Sequence, residues 1–577
     1  MGTKNKLVQH AAAGAAAGGL SASVTGAESK TLAGKPPVAR DLAVLPPEHT
    51  TAARLGVRYS QDAPASENPD KSPGRDGDGD VSSWGYAQQS EFLHAADQPI
   101  QLDYHHWLED WLDRRPIRRL LGWLSRPRPG GKTIIEQIIA SYGNPSAPLA
   151  QRVGYWPFHK VIDRLKGATT VEAFRQRIAE HTSTVRGLVV TARSVAEFGL
   201  TLPQRFSAPM FCVWNFTNRC NLACRHCYQD AAGRGLADEL TLEEKLAIVD
   251  QAGEASMPMI ALAGGEPTIS PDLIPVLKRC QHYGIHTSVA TNGTTMTPKL
   301  AGELVEAGVR YVEISLDSVD AARHDEFRGQ PGMWQRTVEG MKTVVATKPL
   351  RLGVAMCVHR GNFDEVEKML QFAVDIGASC VAHFNFIPVG RGLNMQALDL
   401  TPAQRESLLG TLNAWMQSGK IGVISTAPQF GRVCLAYASP DVGRMAASHA
   451  GSGSGWKARV VAKYLGGCGA GRCYVCIEPA GDVTPCVYLP HRIIGNLRQR
   501  KLLDIFRNND YWDLLCDRDH RTGHCEVCHF KNYCGGCRAR SDAYYGTLNG
   551  ADPGCAFNDA HWQELAGQGG EGTARNA

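Results

Sequence analysis

Val213-Trp-Asn-Phe-Thr217-Asn-Arg-Cys220-Asn-Leu-Ala-Cys224-Arg-His-Cys227-Tyr228 is the stretch on which the fold turns. It begins as a short apolar run, Val213 to Thr217, that reads as a buried strand. It then passes directly into a loop carrying Cys220, Cys224 and Cys227. Three thiolates in one short loop can hold three irons of a four-iron cluster and leave the fourth iron open to a ligand. The competing reading is zinc, which in a closed structural site wants four ligands. His226 is available as a fourth, but it sits beside Cys227, where the geometry is poor.

The same texture continues downstream. Apolar runs recur at 259–263, 287–290, 311–316, 352–358 and 381–387. Helical patterns lie between them at 241–255, 272–283, 298–307, 337–346 and 363–376. Five strand–helix alternations and a sixth strand predict parallel βαβ units and the α/β class. The expected architecture is a partial (βα)6, TIM-like barrel over 206–415. One more helix is expected at 401–418. A Gly/Ser-rich stretch around His449–Gly455 marks a linker, placed at 416–459, before a cysteine-dense domain at 460–560 and a tail at 561–577.

Upstream of the barrel, residues 1–95 mix Ala, Gly, Pro, Ser and Asp with little periodicity and read as a disordered tail. Lys4 and Lys6 precede an Ala/Gly run too weakly apolar for a secretory signal. A helical region is expected at 100–205. Within it, Trp107, Leu108, Trp111, Leu112, Ile117, Leu120, Leu121, Trp123 and Leu124 recur at helical spacing among Arg114, Arg115, Arg118 and Arg119. Such a basic amphipathic stretch over 102–124 suits peripheral contact with a membrane surface or a partner protein. Packing against the rest of the chain is the commoner use of such a stripe. Gly131-Lys132-Thr133 lacks the earlier glycine of a phosphate loop, since Arg126 stands there.

Composition narrows the function. The chain has 577 residues, with 61 basic and 57 acidic side chains and a net charge of +4, a balance that argues against a nucleic-acid partner. No run of about 18 apolar residues occurs, so no membrane-spanning helix is expected. All 18 cysteines lie between Cys212 and Cys555. Twelve of them fall at metal-ligand spacing, which suits metal clusters in a reducing compartment, and the cytoplasm is the expected location.

The loop Cys-x3-Cys-x2-Cys followed by aromatic Tyr228 resembles the signature of the radical S-adenosylmethionine (radical SAM) superfamily, and the resemblance extends across the barrel. Gly264-Gly265-Glu266-Pro267 follows the second strand, as does the family's segment for the methionine amine. Thr291-Asn292-Gly293 follows the third strand. Ser315-Leu316-Asp317-Ser318 ends the fourth, where the family places contacts to the SAM ribose or carboxylate. His324–Gly329 and Trp334–Gly340 are similar to a segment of members with a SPASM extension, and Arg336 becomes a candidate for the SAM carboxylate. The resemblance thus implies that Tyr228, Gly264, Gly265, Glu266, Pro267, Asn292, Ser315, Asp317 and Arg336 bind cofactor. These motifs sit at predicted strand C-termini, where βα barrels build active sites. Taken singly, Gly-Gly or Asn-Gly is an ordinary turn and Asp317 an ordinary helix cap.

Nine cysteines follow: Cys468, Cys473, Cys476 and Cys486 around Pro479–Pro485, then Cys525-x2-Cys528, Cys534-x2-Cys537 and Cys555. This segment resembles the SPASM domain, whose full members carry two auxiliary 4Fe-4S clusters. The resemblance gives the first cluster Cys468, Cys486, Cys537 and either Cys473 or Cys476. It gives the second Cys525, Cys528, Cys534 and Cys555. The last pair is spaced by two residues, where three is usual. One or two zinc ribbons is the competing reading. Cys212, Cys280, Cys357, Cys380, Cys434 and Cys516 match no pattern and are expected to pack as small apolar residues.

The implied chemistry is reductive cleavage of SAM at the first cluster to a 5′-deoxyadenosyl radical, which takes a hydrogen from a substrate carbon. An electron donor such as ferredoxin or flavodoxin is implied, with a small-molecule or peptide substrate. The barrel most resembles members acting in cofactor assembly on haem, haem d1 and PQQ. Maturation of a ribosomally made peptide or protein is the alternative. A sulfatase maturase has an acid after the cysteine matching Cys486, and Val487 stands there. From another class, a non-catalytic iron–sulfur electron carrier or a zinc-stabilised binding module remains open. Phe386–Gly392 reads either as a substrate-side loop or as a structural one.

Overall fold

A computed structural model describes residues 107–128, 131–166, 169–180, 182–437, 444–446 and 452–560. The expectations for 1–95, for 102–106 and for the tail beyond 560 lie outside those residues.

Seven parallel strands follow one another across the sheet: β1 (Phe211–Asn215), β2 (Met259–Ala263), β3 (His286–Thr291), β4 (Tyr311–Ser315), β5 (Arg351–Val358), β6 (Cys380–Asn385) and β7 (Gly422–Ser425). Side chains alternate between buried and partly buried positions along β2, β3, β4 and β7 and are nearly all buried along β5 and β6. In β2, Ile260 and Leu262 are buried against the helical layer while Met259, Ala261 and Ala263 face the barrel interior. The crossover helices start on chemical signals. Thr241 and Glu244 form a reciprocal capping box, Thr401 and Gln404 another, and Thr297 precedes Pro298 at the start of its helix. Trp214, Ile260, Leu262, Val289, Val312, Ile314, Val354, Leu409 and Met416 belong to one core between strands and helices.

The sheet carries more strands than the apolar runs announce. The span 416–459, expected as a linker, instead supplies β7 and the helix Gln429–Tyr437. β7 is four residues long, too short to stand out by periodicity, and it is held by register with Cys380–His383 of β6. A separate antiparallel pair follows, β8 (Arg444–Ala446) with β9 (Ser452–Ser454). The cysteine-dense segment then adds β10 (Tyr474–Ile477), β11 (Asp482–Thr484) and β12 (Gly495–Asn496). β10 pairs parallel with β1, Phe211 opposite Tyr474, so the segment prolongs the barrel sheet itself in the order β12-β11-β10-β1 through β7.

Helices run from Trp107 to Phe198, as the periodicity upstream of the barrel predicts. The helix Thr182–Phe198 is stitched to the barrel by Arg186. Its buried guanidinium donates to the carbonyls of Met257 (2.8 Å), Tyr283 (2.7 Å), Gly253 (2.9 Å) and Ala252 (3.3 Å). On the opposite side a buried ion network joins barrel and cysteine-dense segment. Asp399 pairs with Arg405 at 2.5 Å and Arg540 at 3.3 Å and accepts from the Tyr544 hydroxyl at 3.0 Å. Asp399→Ala leaves Arg405 buried without its paired carboxylate and Arg540 with only Asp552, 3.8 Å away. The expected loss is about 3–5 kcal/mol of unfolding free energy, read by denaturant titration. A loss under about 1 kcal/mol would show the network to be dispensable.

Candidate active site

The site is built where the strands end. The loop after β1 carries Cys220, Cys224 and Cys227, and the loop after β2 is pressed onto it. Gly265 N donates to Thr217 O at 2.7 Å, and Glu266 N donates to Arg219 O at 2.9 Å. That approach depends on missing side chains. A Cβ at Gly265 would stand 2.2 Å from Arg219 O, and one at Gly264, whose φ is +109°, would stand 2.8 Å from Phe216 N. Glu266 is fully buried. Its carboxylate accepts from Thr268 N (3.1 Å), Thr291 Oγ1 (2.7 Å) and Asn292 N (2.8 Å), which ties the ends of β2 and β3 together. Asn292 in turn donates through Nδ2 to Asn221 Oδ1 in the cysteine loop, at 2.8 Å.

After β4, Asp317 is held in a closed polar setting. Its Oδ1 accepts from Cys357 N (3.0 Å), and its Oδ2 meets Arg328 Nη2 at 2.7 Å and lies 3.9 Å from His226 Nε2. Burial alone would raise this carboxyl. The Arg328 guanidinium, with the Cys357 amide, outweighs it and holds the carboxyl below the usual carboxylate range. Burial pushes His226 down to about 3, so its ring is neutral. It lies flat on Phe327, centroids 4.1 Å apart, and His359 covers the next position at 4.3 Å. Arg328 also reaches Cys224 Sγ, donating from Nη1 at 3.7 Å.

One cavity of about 580 Å³ collects these groups. The three loop cysteines, Tyr228, Gly264, Gly265, Asn292, Ser315 and Asp317 all line it. Glu266 and Pro267 do not, and act behind it. Arg336 is exposed on the helix Met333–Ala346, because Met333, Thr337 and Gly340 take that helix's inward positions. Arg328, Arg351 and Arg391 line the cavity instead, and of these Arg328 pairs with Asp317. Cys468, Cys486 and Cys537 form a further wall of the same cavity, beside Tyr488, which meets Tyr228 edge-on at 5.4 Å. Cys525, Cys528, Cys534 and Cys555 line a separate small pocket with Arg432 and Lys531. Cys473 lies in the field of Cys468, whereas Cys476 is hydrogen-bonded to Glu478 and near Asn215 Nδ2.

The donor sets suit a cluster better than a lone ion. All 18 cysteines are free thiols. Among the described residues no three His, Cys, Asp or Glu groups converge tightly enough to hold a single metal ion. The loop thiols stand instead around a cavity, and burial, with Glu266 and the two neighbouring thiols, pushes Cys220 up to about 12. Thiolates there require a cationic guest large enough to touch several of them. Of the six cysteines outside the motifs, Cys212, Cys280, Cys434 and Cys516 are buried as expected, while Cys357 and Cys380 face the cavity.

Sequence reading passed over Arg328, Tyr488 and Glu313 as site residues and weighed His226 only as a zinc ligand. Arg328 and His226 stand inside motifs already quoted, so their position was available and their direction was not. Glu313 projects from β4 into the cavity two residues before Ser315, accepts from Tyr311 OH at 3.0 Å, and is raised by burial to about 7. A carboxyl raised in the folded state binds more protons there than when unfolded. Its contribution to stability is therefore full below about 4.5 and is lost as pH rises through about 7. Glu313→Gln is expected to remove that decline from denaturation curves measured between these pH values. An unchanged decline would place its origin in other groups.

Comparison with known proteins places this geometry. The family profile of the radical SAM superfamily matches residues 214–398, and that of an iron–sulfur cluster-binding domain, SPASM, matches 468–529. The AdoMet-dependent heme synthase of Methanosarcina barkeri is 31% identical over 352 residues, covering 61% of this chain and 97% of that protein. The PqqA peptide cyclase of Methylocella silvestris is 26% identical, covering 63% of this chain and 91% of its own. Streptococcus suis SuiB, solved with S-adenosylmethionine, shares the fold with a TM-score of 0.52 at 15% identity, over 74% of this chain and 93% of that one.

Proposed function

Since this chain belongs to the radical SAM superfamily and carries a SPASM domain, we propose that it acts on a tetrapyrrole cofactor precursor, abstracting hydrogen from a side-chain carbon as an oxidoreductase. The chain is a radical SAM enzyme that uses 4Fe-4S chemistry and S-adenosylmethionine. The observation that carries the narrower reading is the 31% identity to a heme synthase over 97% of that protein. The 580 Å³ cavity, lined at once by the β1 loop thiols and by Cys468, Cys486 and Cys537, is the shared site in which the reaction would take place. That volume falls within the roughly 300–1,000 Å³ of small-molecule sites.

In this reading Cys220, Cys224 and Cys227 hold the SAM-binding cluster, and with SAM bound that group supplies one-electron cleavage leading to hydrogen abstraction. Everything else is the work of the chain. Gly264, Gly265, Asn292, Ser315 and Asp317 line the SAM position, and Tyr228 closes it with its hydroxyl committed to Asn215 Oδ1 at 2.9 Å. Glu266 and Pro267 fix the loop behind. Arg328, neutralised by Asp317, keeps a buried cation against the thiol set without adding net charge. We assign the fourth place of the first auxiliary cluster to Cys473, since Cys476 is occupied with Glu478. The second takes Cys525, Cys528, Cys534 and Cys555. Free thiols throughout suit the cytoplasm, with a ferredoxin- or flavodoxin-type electron donor. Among the described residues no helix is long and apolar enough to cross a membrane.

The test is anaerobic incubation of the reconstituted enzyme with SAM, a strong reductant and an iron coproporphyrin. A mass change in the tetrapyrrole, with 5′-deoxyadenosine formed in proportion, is expected. 5′-Deoxyadenosine without any change in the tetrapyrrole would overturn the substrate class. The PqqA peptide cyclase relative would then direct the search to a ribosomally made peptide.

A further inference from the structure

The helix Arg115–Leu124 has two faces that do different things. One is fixed to the protein. Leu124 is buried with Ile134 and Ile138 in a small satellite core, and Gly122 lies against Ala196. Arg118 donates from Nε to Val195 O (3.2 Å) and from Nη2 to Glu197 O (3.1 Å), satisfying carbonyls at the end of the helix Thr182–Phe198. The other face is left to solvent. Trp123 is 46% exposed and Leu120 37%, with Trp111 at 40% on the preceding helix. Around them stand Arg114, Arg115, Arg119, Arg126, Arg128 and Lys132, all exposed. None of these six forms an ion pair with another described residue. The Arg128 guanidinium lies over the Trp123 ring at 5.3 Å.

The charge here is concentrated. From Arg114 to Lys132 there are seven basic residues and no acidic one, and with the exposed Asp110 and Asp113 beside Trp111 the face carries a net +5, still more than the +4 of the whole chain. We propose that this face docks the enzyme onto an anionic lipid bilayer, with Leu120, Trp123 and Trp111 entering the headgroup boundary and the arginines and Lys132 contacting lipid phosphates. Three observations favour a bilayer over a polyanion or an acidic protein. The apolar side chains project outward, and the nearest cation lies over an indole face rather than filling a groove. The basic groups surround the apolar ones instead of forming a stripe along a phosphate backbone. An indole between an apolar and a wet phase is also the arrangement interfacial helices use. The helix is ten residues long, enough to lie in the interface and too short to cross it. The inference is independent of the substrate class proposed above.

The test is flotation of the full-length protein with vesicles of phosphatidylcholine alone and of phosphatidylcholine with phosphatidylglycerol. Binding is expected to the anionic vesicles only, to fall as salt rises, and to shift the tryptophan emission to the blue. The double variant Leu120→Ser with Trp123→Ser removes the apolar wedge. A second variant, Arg115→Gln with Arg119→Gln and Arg126→Gln, removes charge while keeping the wedge. Each is expected to weaken binding at least about tenfold with an unchanged thermal transition and unchanged 5′-deoxyadenosine formation. Absence of parent binding to anionic vesicles, equal binding to neutral ones, or parent-like binding by the charge variant would overturn the proposal. So would displacement of the protein from vesicles by duplex DNA.

Discussion

Replacing Cys220, Cys224 and Cys227 together by alanine is expected to remove about four of about twelve irons per reconstituted chain and to abolish 5′-deoxyadenosine formation entirely. The reason is the arrangement of donors. The three thiols face one end of the 580 Å³ cavity, while seven of the cysteines assigned to the auxiliary sites line either its other wall or the separate pocket with Arg432. The sets share no ligand, so loss of one leaves the others intact. Iron and sulfide counts on parent and variant, with product measured after adding SAM and reductant, check it. A variant that keeps all its iron would show that the loop is not a cluster site. A variant that loses all of it would show that the three sites assemble as one. A parent with only about four irons would overturn both auxiliary assignments.

The second large effect belongs to a residue that donates nothing. Gly265→Ala places a methyl group 2.2 Å from Arg219 O, and that same oxygen accepts from Glu266 N. Neither partner is a flexible side-chain end, so the loop bearing Cys220 must move by about an ångström. A displacement of that size near reacting atoms is worth about a hundredfold in rate, and the overpacking itself costs about 1–3 kcal/mol. SAM cleavage is expected to fall about a hundredfold while the protein stays folded. Gly302→Ala serves as the control. Gly302 lies in the helix Pro298–Glu306, where an added methyl would meet nothing within 4 Å, and the change should leave both properties unaltered or slightly improve stability. Wild-type-like cleavage by Gly265→Ala would remove close loop contact from the account of this site.

Much of this was legible in the chain. Met259–Ala263 is bounded as the apolar run predicts, and β3, β4, β5 and β6 differ from their runs by one or two residues at the ends. Alternation of this kind is a local property, and local properties survive into the fold. Pairing is not local. Nothing in Gly422–Ser425 marks it as the seventh strand, because its place depends on β6. The site divides in the same way. The loop cysteines stand out by spacing, Gly264, Gly265, Asn292 and Asp317 were implied by the family resemblance, and the cavity brings them together. Glu266 was implied by the resemblance as a ligand contact, and the structure shows what its carboxylate does within the chain, accepting from Thr268, Thr291 and Asn292. The motif located the position and could not say which way the oxygens point. Arg336 and Arg328 stand eight positions apart in neighbouring helices, and helix phase alone decides that the second reaches the cavity.

The pairing of β10 with β1 carries a consequence for how the molecule is made. Phe211 and Tyr474 are adjacent in the sheet and 263 residues apart in the chain. At ordinary rates of synthesis that separation is roughly 13–50 s on the ribosome. During that interval the edge of β1 stands open, with the first cysteine loop at its end. An exposed parallel edge is a template for the wrong neighbour. A chain stopped before Tyr474 should therefore aggregate even with its first seven strands complete. Less than the last fifth of the sequence thus seals the edge beside which the first cysteine loop stands.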